Sequence, residues 1–249
     1  MTMSVIAVLQ ARVGSSRLRN KVLKDINGFS VLEAQMIRVE PAAANEFWIA
    51  TTTSSEDDPI ADLATKRNWS VFRGDSENVL SRFISIIEKS KADLVIRLTG
   101  DNPFTHFLEI NKSISQLTIA GSKYWSIGNF EPRSMPFGSI AEIVRSEALL
   151  VADRQIPTDE SFHRSHVTSW IHKELSILPY FESTVGLYDP TWRWTIDEQS
   201  DLLFFQKFTQ LLGNNWVDSP LSVMASRLQE NLDLALINKD VPIKNLVEG

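Results

Sequence analysis

The chain has 249 residues, of which 43% are hydrophobic, so it can bury the core of one large domain or of one domain with a lobe. Its formal net charge of −6 argues against a general nucleic-acid binder, which needs a basic surface. The absence of cysteine excludes disulfides, iron–sulfur clusters, thiolate zinc sites and a cysteine nucleophile. No basic signal-peptide region and no run of 18 apolar residues occurs, so we expect a cytoplasmic protein with no membrane partner.

Apolar runs and helical spacing alternate along the first hundred residues. Unbroken apolar runs are typical of strands that are buried on both faces of a parallel sheet. The runs lie at 4–9, 47–51, 70–73 and 93–98. Segments with helical spacing separate them, at 31–39, 60–67 and 79–87. This alternation predicts right-handed βαβ units and hence an α/β fold, with an open, mostly parallel sheet that carries helices on both faces.

After residue 118 the pattern is looser, and the expected elements are fewer and more widely spaced. We expect strands at 124–127 and 139–144, and helices at 146–154, 161–173, 198–212 and 220–230. The segment 192–196, WRWTI, is interpreted as a strand that returns to the sheet. The chain has no internal repeat and no long linker, so we expect one domain over 1–240, with a tail at 241–249 that frays. Within it we distinguish a core at 1–118, a small β/α lobe at 119–190 and a return segment at 191–240.

A basic segment follows the first predicted strand directly. Residues 10–24 read QARVGSSRLRNKVLK, with five cations and no acid in a chain that is acidic overall. Open α/β sheets bind their ligands at this end of the strands. Gly14, Ser15 and Ser16 form a small turn whose backbone N–H groups can approach phosphate oxygens, and Arg and Lys side chains suit a triphosphate. A solvated basic loop is the alternative, but the position after the first strand favours phosphate binding.

Neither of two common phosphate motifs is present, since the chain has no G-x-x-x-x-G-K-[ST] and no G-x-G-x-x-G. The loop instead resembles the A-R-x-G-S-x-R-L-P-G-K fingerprint of sugar-acid cytidylyltransferases. These include the CMP-KDO synthetases and, more similar still, the family named for the spore-coat polysaccharide biosynthesis protein SpsF. The matching residues are ARVGSSRL at 11–18 and Lys21, then ATTT at 50–53, EDDP at 56–59, VFRG at 71–74, VLSR at 79–82, IRLTGDNP at 96–103, HVT at 166–168, RWTID at 193–197 and NLD at 231–233.

The resemblance implies a Rossmann-like nucleotidyltransferase that joins CMP from CTP to a small anionic, sugar-like acceptor and releases pyrophosphate. Such an enzyme would use Mg²⁺, would serve the synthesis of surface polysaccharide or glycoconjugate precursors, and is expected to be a homodimer. The lobe at 119–190 would bind the acceptor and contribute to the dimer. Each of Asp101 and Asp197 follows a strand-like run and would project beside the basic loop. Taken alone, an Asp after a strand is more often a helix N-cap, but the resemblance implies that both hold the metal.

The remaining site residues follow from the same resemblance. Their roles are catalysis, for which electrostatic stabilisation of the phosphates is the main requirement, and binding of the nucleotide or the acceptor. We expect the loop cations to be exposed donors that gain partners when CTP arrives. The catalytic candidates are Arg12, Lys21, Asp101 and Asp197; the CTP-binding candidates are Gln10, Ala11, Arg12, Gly14, Ser15, Arg17, Lys21, Arg73 and Arg97; the acceptor candidates are Glu142, His166 and Arg193.

Two segments depart from the family pattern. The Pro-Gly that precedes the loop lysine is replaced by Arg19 and Asn20, and the Pro-Asp-Gly stretch on the acceptor side is replaced by PFGSI at 136–140. Two alternatives therefore stay open at this point. One is a glycosyltransferase on a similar sheet, although the single carboxylate of TGD at 99–101 differs from the usual D-x-D pair. The other is a nucleotide-binding protein without catalysis.

Overall fold

The computed structural model describes residues 3–15, 17–184 and 186–243, so Ser16 of the basic turn and most of the expected tail at 241–249 lie outside the described residues. Within them, seven strands form one sheet in the order β3-β2-β1-β4-β6-β5-β7. All of these strands run in one direction except β6, which is antiparallel to both of its neighbours. The strands are β1 (Val5–Gln10), β2 (Glu46–Thr52), β3 (Ser70–Gly74), β4 (Leu94–Thr99), β5 (Ser126–Gly128), β6 (Glu142–Arg145) and β7 (Ile177–Pro179).

Helices cover both faces of the sheet, as the alternating pattern predicts. In β1, Ala7 and Leu9 face one core, whereas Ile6 and Val8 face the other. The first core includes residues of α1, α2, α4, α8 and α9, and the second includes residues of α3, α5 and α7. The helices are α1 (Val31–Val39), α2 (Asp58–Lys66), α3 (Val79–Ser90), α4 (Phe107–Ala120), α5 (Ser146–Gln155), α6 (Ser161–His166), α7 (Ser169–Glu174), α8 (Gln199–Leu212), α9 (Leu221–Gln229) and α10 (Leu232–Ala235).

The segment at 192–196 is not a strand of the sheet, so that prediction is wrong. Only Arg193 forms an isolated bridge, with Phe137. The Trp194 N–H donates to the Phe137 carbonyl at 2.7 Å, and the Trp194 side chain is fully buried, with its ring centroid 5.5 Å from that of Phe104. Because Trp192, Trp194 and Ile196 are buried at alternate positions, the segment has the pattern of a strand, which explains the error.

The PFGSI segment makes this arrangement possible through Gly138. Its φ is 89°, a left-handed conformation that favours glycine. A Cβ at this position would lie 2.5 Å from the carbonyl oxygen of Trp194 and 2.9 Å from Cβ of Thr195. The backbone at 136–140 therefore packs directly against the segment that leads to Asp197.

The expected helix at 161–173 is two short helices, α6 and α7. The chain turns sharply between them at Val167, a fully buried residue whose φ is 57°. A β-branched residue in this conformation is unusual, so tertiary packing overrides local preference here. The turn aims α7, with Thr168 and His172, at β6. The sequence pattern also did not predict α4 or the edge strand β7. The strands that it predicted at 124–127 and 139–144 begin earlier than β5 and β6 do.

Candidate active site

The candidate site lies at the carboxyl ends of β1 and β4. Gln10 and Thr99, the last residues of these strands, are paired in the sheet, and the Gly100 N–H continues the ladder to the Gln10 carbonyl at 3.0 Å. A Cβ on Gly100 would lie 3.2 Å from Cβ of Ala11 and 3.1 Å from a methyl carbon of Val22. The basic loop and the turn that carries Asp101 are therefore in direct contact.

Lys21 lies between the two carboxylates that were predicted to bind metal. Its Nζ is 2.9 Å from Oδ2 of Asp101 and 2.9 Å from Oδ1 of Asp197, and its side chain is 14% exposed. Burial alone would lower the pKa of Lys21, but the two carboxylates together raise it above its ordinary value. The ammonium group is therefore charged, and it holds together two acids from distant parts of the chain.

Two arginines also contact Asp197. Nη2 of Arg17 lies 3.0 Å from its Oδ1, and Nη2 of Arg193 lies 2.7 Å from its Oδ2. Burial opposes ionisation of Asp197, yet Lys21, Arg17 and Arg193 lower its pKa below the ordinary value. This carboxylate is thus fully ionised at neutral pH and neutralised by three cations.

A buried acid, Asp201, fixes the position of Asp197. Oδ2 of Asp201 accepts hydrogen bonds from the backbone N–H groups of Asp197 at 2.9 Å and Glu198 at 3.0 Å, which caps α8. Its Oδ1 accepts from Nε of Arg193 at 2.9 Å and from Nδ2 of Asn238 at 3.0 Å. The Ile196 N–H donates to the Asp101 carbonyl at 2.8 Å, so the segments of both candidate ligands are joined by backbone as well.

The expectation that the loop cations are exposed donors without partners until CTP arrives is wrong for Lys21, which is mostly buried, and in part for Arg17, which is exposed but not free. Both already pair with acids of the site, because Asp101 and Asp197 project toward the same loop. Arg12 is more accessible and lies 3.3 Å from Oε1 of Glu77. Arg19, which stands in the family's proline position, is largely exposed and lies 3.5 Å from Oε1 of Glu56.

Two buried polar residues outside the loop determine its shape. Oδ1 of Asp57 accepts from the Val13 N–H at 2.7 Å, and Thr52 donates its hydroxyl to the other oxygen of Asp57. The Ala50 carbonyl accepts from the Ala11 N–H at 3.2 Å and from Nη1 of Arg82 at 3.1 Å. Burial lowers the pKa of Arg82 to about 10. Asp57 and Arg82 fell within motifs of the sequence, but their anchoring role was not predicted.

The backbone next to Val13 is more open. A Cβ at Gly14 would meet no atom within 4 Å, and the Ser15 N–H donates to the Val13 carbonyl at 2.8 Å.

Arg73 is held by contacts with β2 and α2. It donates to the Thr52 and Ser54 carbonyls at 2.8 and 2.7 Å and lies 2.7 Å from Oδ1 of Asp58, so it ties β3 to the end of β2. The assignments of Arg73, Gly14 and Ser15 to CTP stay predictions.

A second cluster of polar side chains surrounds the carboxylate of Glu142, between β4 and β6. Glu142 is buried, and its Oε2 lies 3.4 Å from Nη1 of Arg97 and accepts from the Thr168 hydroxyl at 2.8 Å. Its Oε1 is 2.7 Å from Nε2 of His172. Burial would raise the pKa of Glu142, but His172, Arg97 and Thr168 lower it below the ordinary value. We call these four residues the Glu142 cluster.

The helices α6 and α7 carry three histidines, of which the sequence favoured His166, whereas His172 is the one that contacts Glu142. His166 contacts Phe162 and Ser165 of its own helix, and its ring lies 4.4 Å from that of Phe162. Thr168 and His172 are four residues apart, which is one helical turn. That spacing was a readable signal, but the sharp turn at Val167 that aims both side chains at Glu142 was not.

The side chains of Gln10 and Arg97 lie on the same sheet face as the Glu142 cluster, because Val8 pairs with Arg97 in the parallel register. Oε1 of Gln10 and Nε of Arg97 are buried and find no hydrogen-bond partner among the described residues. Buried polar atoms without partners are costly, so their presence beside the site is consistent with a polar ligand.

The two candidate ligands fit a magnesium ion that is completed by substrate. Within residues 3–15, 17–184 and 186–243, no three or more His, Cys, Asp or Glu side chains are grouped to hold a metal by themselves. Mg²⁺ is, however, usually bound by one or two carboxylates together with substrate phosphates. Asp101 and Asp197 already hold a cation between them, the ammonium group of Lys21.

Comparison with known proteins identifies the family of the chain. The family model described as Cytidylyltransferase matches residues 6–217. The chain is 32% identical to the spore coat polysaccharide biosynthesis protein SpsF of Bacillus subtilis over 93% of this chain and 96% of that protein. A cytidylyltransferase structure from Leptospira borgpetersenii matches with a TM-score of 0.86 at 20% identity, over 98% and 100% of the two chains.

A solved CMP:2-keto-3-deoxy-manno-octonic acid synthetase in complex with CTP shares the fold at a TM-score of 0.60 and 15% identity, over 84% of this chain and 99% of that one. The expected α/β fold and the resemblance read from the loop motif are therefore confirmed. No described helix combines the length and the apolar character that crossing a bilayer requires. The chain belongs to the cytidylyltransferase family and is an SpsF-type nucleotidyltransferase related to the CMP-KDO synthetases.

Proposed function

We propose that the enzyme transfers CMP from CTP to a small anionic, sugar-like acceptor with release of pyrophosphate, in the synthesis of surface polysaccharide or glycoconjugate precursors. The observation that carries the proposal is the contact of Asp101 and Asp197 with Lys21 and Arg17 at the end of β1. Membership of the family favours nucleotidyl transfer over the glycosyltransferase and non-catalytic alternatives.

Mg²⁺ is the proposed cofactor, and Asp101 and Asp197 would hold it. When bound, it would neutralise charge on the phosphate oxygens as the leaving group forms. Arg12, Arg17 and Lys21 would pair with phosphate oxygens, since charge-assisted hydrogen bonds strengthen as negative charge develops. Gln10, Ala11, Gly14 and Ser15 would line the nucleotide next to these cations.

For the acceptor we propose the face that carries the Glu142 cluster. Arg97, which the resemblance assigns to CTP, lies on this face; its Nε is buried without a hydrogen-bond partner among the described residues, and Glu142 holds its guanidinium beside the site. Arg193 and His166 stay weaker candidates: Arg193 is occupied by Asp197 and Asp201, and His166 contacts its own helix. We also propose that the 119–190 region contributes to a homodimer and that the protein acts in the cytoplasm.

A pyrophosphate-release screen tests the proposal. The protein would be mixed with Mg²⁺, each of the four nucleoside triphosphates and, in turn, a keto-sugar acid, a nonulosonic acid, a phosphorylated sugar and a phosphonate. We expect release that depends on CTP, on Mg²⁺ and on one class of acceptor. Equal turnover with UTP or GTP would contradict the CTP assignment, and no release with any acceptor would contradict the acceptor assignment.

A further inference from the structure

Lys21 occupies the space between Asp101 and Asp197, where a metal ion that bridged the same two oxygens would lie. Its Nζ contacts one oxygen of each carboxylate, both at 2.9 Å. A magnesium ion binds carboxylate oxygens at about 2.0–2.1 Å. The ion and the ammonium group would therefore compete for the same oxygens, and two cations that close together repel each other strongly.

We propose that Lys21 excludes metal from Asp101 and Asp197 in the nucleotide-free enzyme and must move onto the triphosphate before the metal can bind. Before nucleotide binds, Lys21 thus has a positioning role: it holds the two carboxylates together until a nucleotide provides another partner for its charge. The inference rests on the proposed function, because it takes CTP as the source of the phosphate oxygens.

The surroundings of Lys21 explain why metal alone does not displace it. Its side chain is mostly buried, and the contacts of its Nζ within the described residues are the two carboxylates. Without phosphate, displacement by a metal would leave a buried ammonium with no partner, which is unfavourable. Arg17 and Arg193 also neutralise Asp197 and so reduce its attraction for a second cation.

The loop allows the side chain to move while the backbone stays in place. Lys21 begins a short 3₁₀ turn, Lys21–Leu23, whose central residue Val22 is buried against Gly100. The lysine side chain has a flexible four-carbon stem, so its ammonium can transfer to a phosphate without a change of the main chain. Metal and nucleotide binding are then coupled, and the coupling acts equally in both directions.

Binding of Mn²⁺, measured by electron paramagnetic resonance and by calorimetry, tests the inference. Wild type, Lys21→Met, Lys21→Gln and the control Lys24→Met would be compared without nucleotide and with CTP, against a blank of CTP and Mn²⁺. Lys24 is three residues further along the same basic segment and forms no ion pair with any residue that the structure describes.

We expect both Lys21 variants to bind Mn²⁺ without nucleotide more tightly than wild type, by about tenfold or more. Wild type and Lys24→Met should bind Mn²⁺ well only with CTP. Adding Asp101→Asn to Lys21→Met should remove the gain, which places the ion at these carboxylates. Circular dichroism would establish that each variant is folded, and the two Lys21 variants provide independent tests.

Equal nucleotide-free affinity in wild type and the Lys21 variants would overturn the inference, as would a gain that survives Asp101→Asn. These outcomes are separate from the fate of the proposed function. Absence of pyrophosphate release with CTP would contradict the function while leaving the nucleotide-free contrast measurable. Release of pyrophosphate together with no Mn²⁺ contrast would contradict only the role of Lys21.

Discussion

Two carboxylate clusters lie at the same end of the sheet, and they are built differently. In one, Asp101 and Asp197 remain partly accessible, with 25% and 18% of their side chains exposed, and two of their cations come from a loop. In the other, Glu142 is buried and takes its partners from β4 and α7. The accessible carboxylates can change their ion-pair partners when a ligand binds, whereas the buried Glu142 cannot. We therefore expect mutations in the first cluster to affect activity and mutations in the second to affect stability.

Asp101→Asn should give the largest effect and act on catalysis. The amide keeps the size of the side chain but removes the charge that would hold metal, so kcat should fall by a factor on the order of 10²–10³. The melting temperature should change little, because Lys21 keeps its contact with Asp197. Steady-state kinetics at saturating Mg²⁺ and a thermal melt measure both. Asp62→Asn, at an exposed position on α2, is the matched control; near-parental activity of Asp101→Asn would mean that Asp101 is not a ligand.

Glu142→Gln should act on stability instead. Removing the charge leaves Arg97 partly buried without its acid, and loss of one partner of a buried ion pair costs about 3 kcal/mol. Denaturant unfolding would measure the loss in free energy of unfolding. A variant as stable as wild type would show that the Glu142 cluster is not a structural unit, and an isolated loss of affinity for the acceptor would then assign it to binding alone.

Arg17→Lys separates charge from geometry in the basic loop. Lysine keeps the charge but loses the planar fork of the guanidinium, so kcat/KM for CTP should fall by about tenfold if the fork is used. Stability should change by at most about 1 kcal/mol, since exposed ion pairs contribute little. Arg19→Ala is the control within the loop, because Arg19 pairs only with exposed Glu56 among the described residues. Unchanged CTP kinetics in Arg12→Ala, Arg17→Ala and Lys21→Ala would show that the loop does not bind CTP.

The smallest expected effect is on the pH dependence of stability, which should differ between wild type and Glu142→Gln. The folded-state pKa of Glu142 is lowered, so its stabilising contribution is full above the unfolded pKa of about 4.3 and disappears as pH falls through the folded value. Wild type should therefore lose more stability than Glu142→Gln between pH 6 and pH 3. Asp197 also has a lowered pKa and is present in both proteins, so the difference isolates Glu142. Parallel curves for the two proteins would contradict the shift.

The local sequence pattern was sufficient to predict strands and helices where apolar residues recur at regular spacing. The strands β1 to β4 and the helices α1 to α3 could be predicted because each strand is apolar on both faces and each helix on one. Asp101 and Asp197 could be proposed because each follows a strand-like segment and the resemblance implies that both hold metal, even though the segment before Asp197 proved to be buried coil rather than strand.

The Glu142 cluster shows what a sequence does not reveal. The contacts of Glu142 with Thr168 and His172 join residues that are far apart in the chain, and they depend on the reversal of the chain at Val167. No local preference predicts a left-handed valine. The ion pairs of Lys21 were not predicted for a related reason. The loop cations were expected to bind only the ligand, because the sequence does not show that the fold brings Asp101 and Asp197 to this loop.

The hydrogen bonds of Asn238 have a consequence for synthesis of the protein. Its buried side-chain amide donates to the Arg193 carbonyl and to Asp201, both at 3.0 Å, and these residues hold Asp197. During translation, residues 193–201 are made well before residue 238, so the sheet can form while this support is still missing. A ribosome that stalls in between would release a protein that is largely folded yet holds Asp197 loosely. Competence for catalysis should therefore arise only after residue 238 has been added and docked.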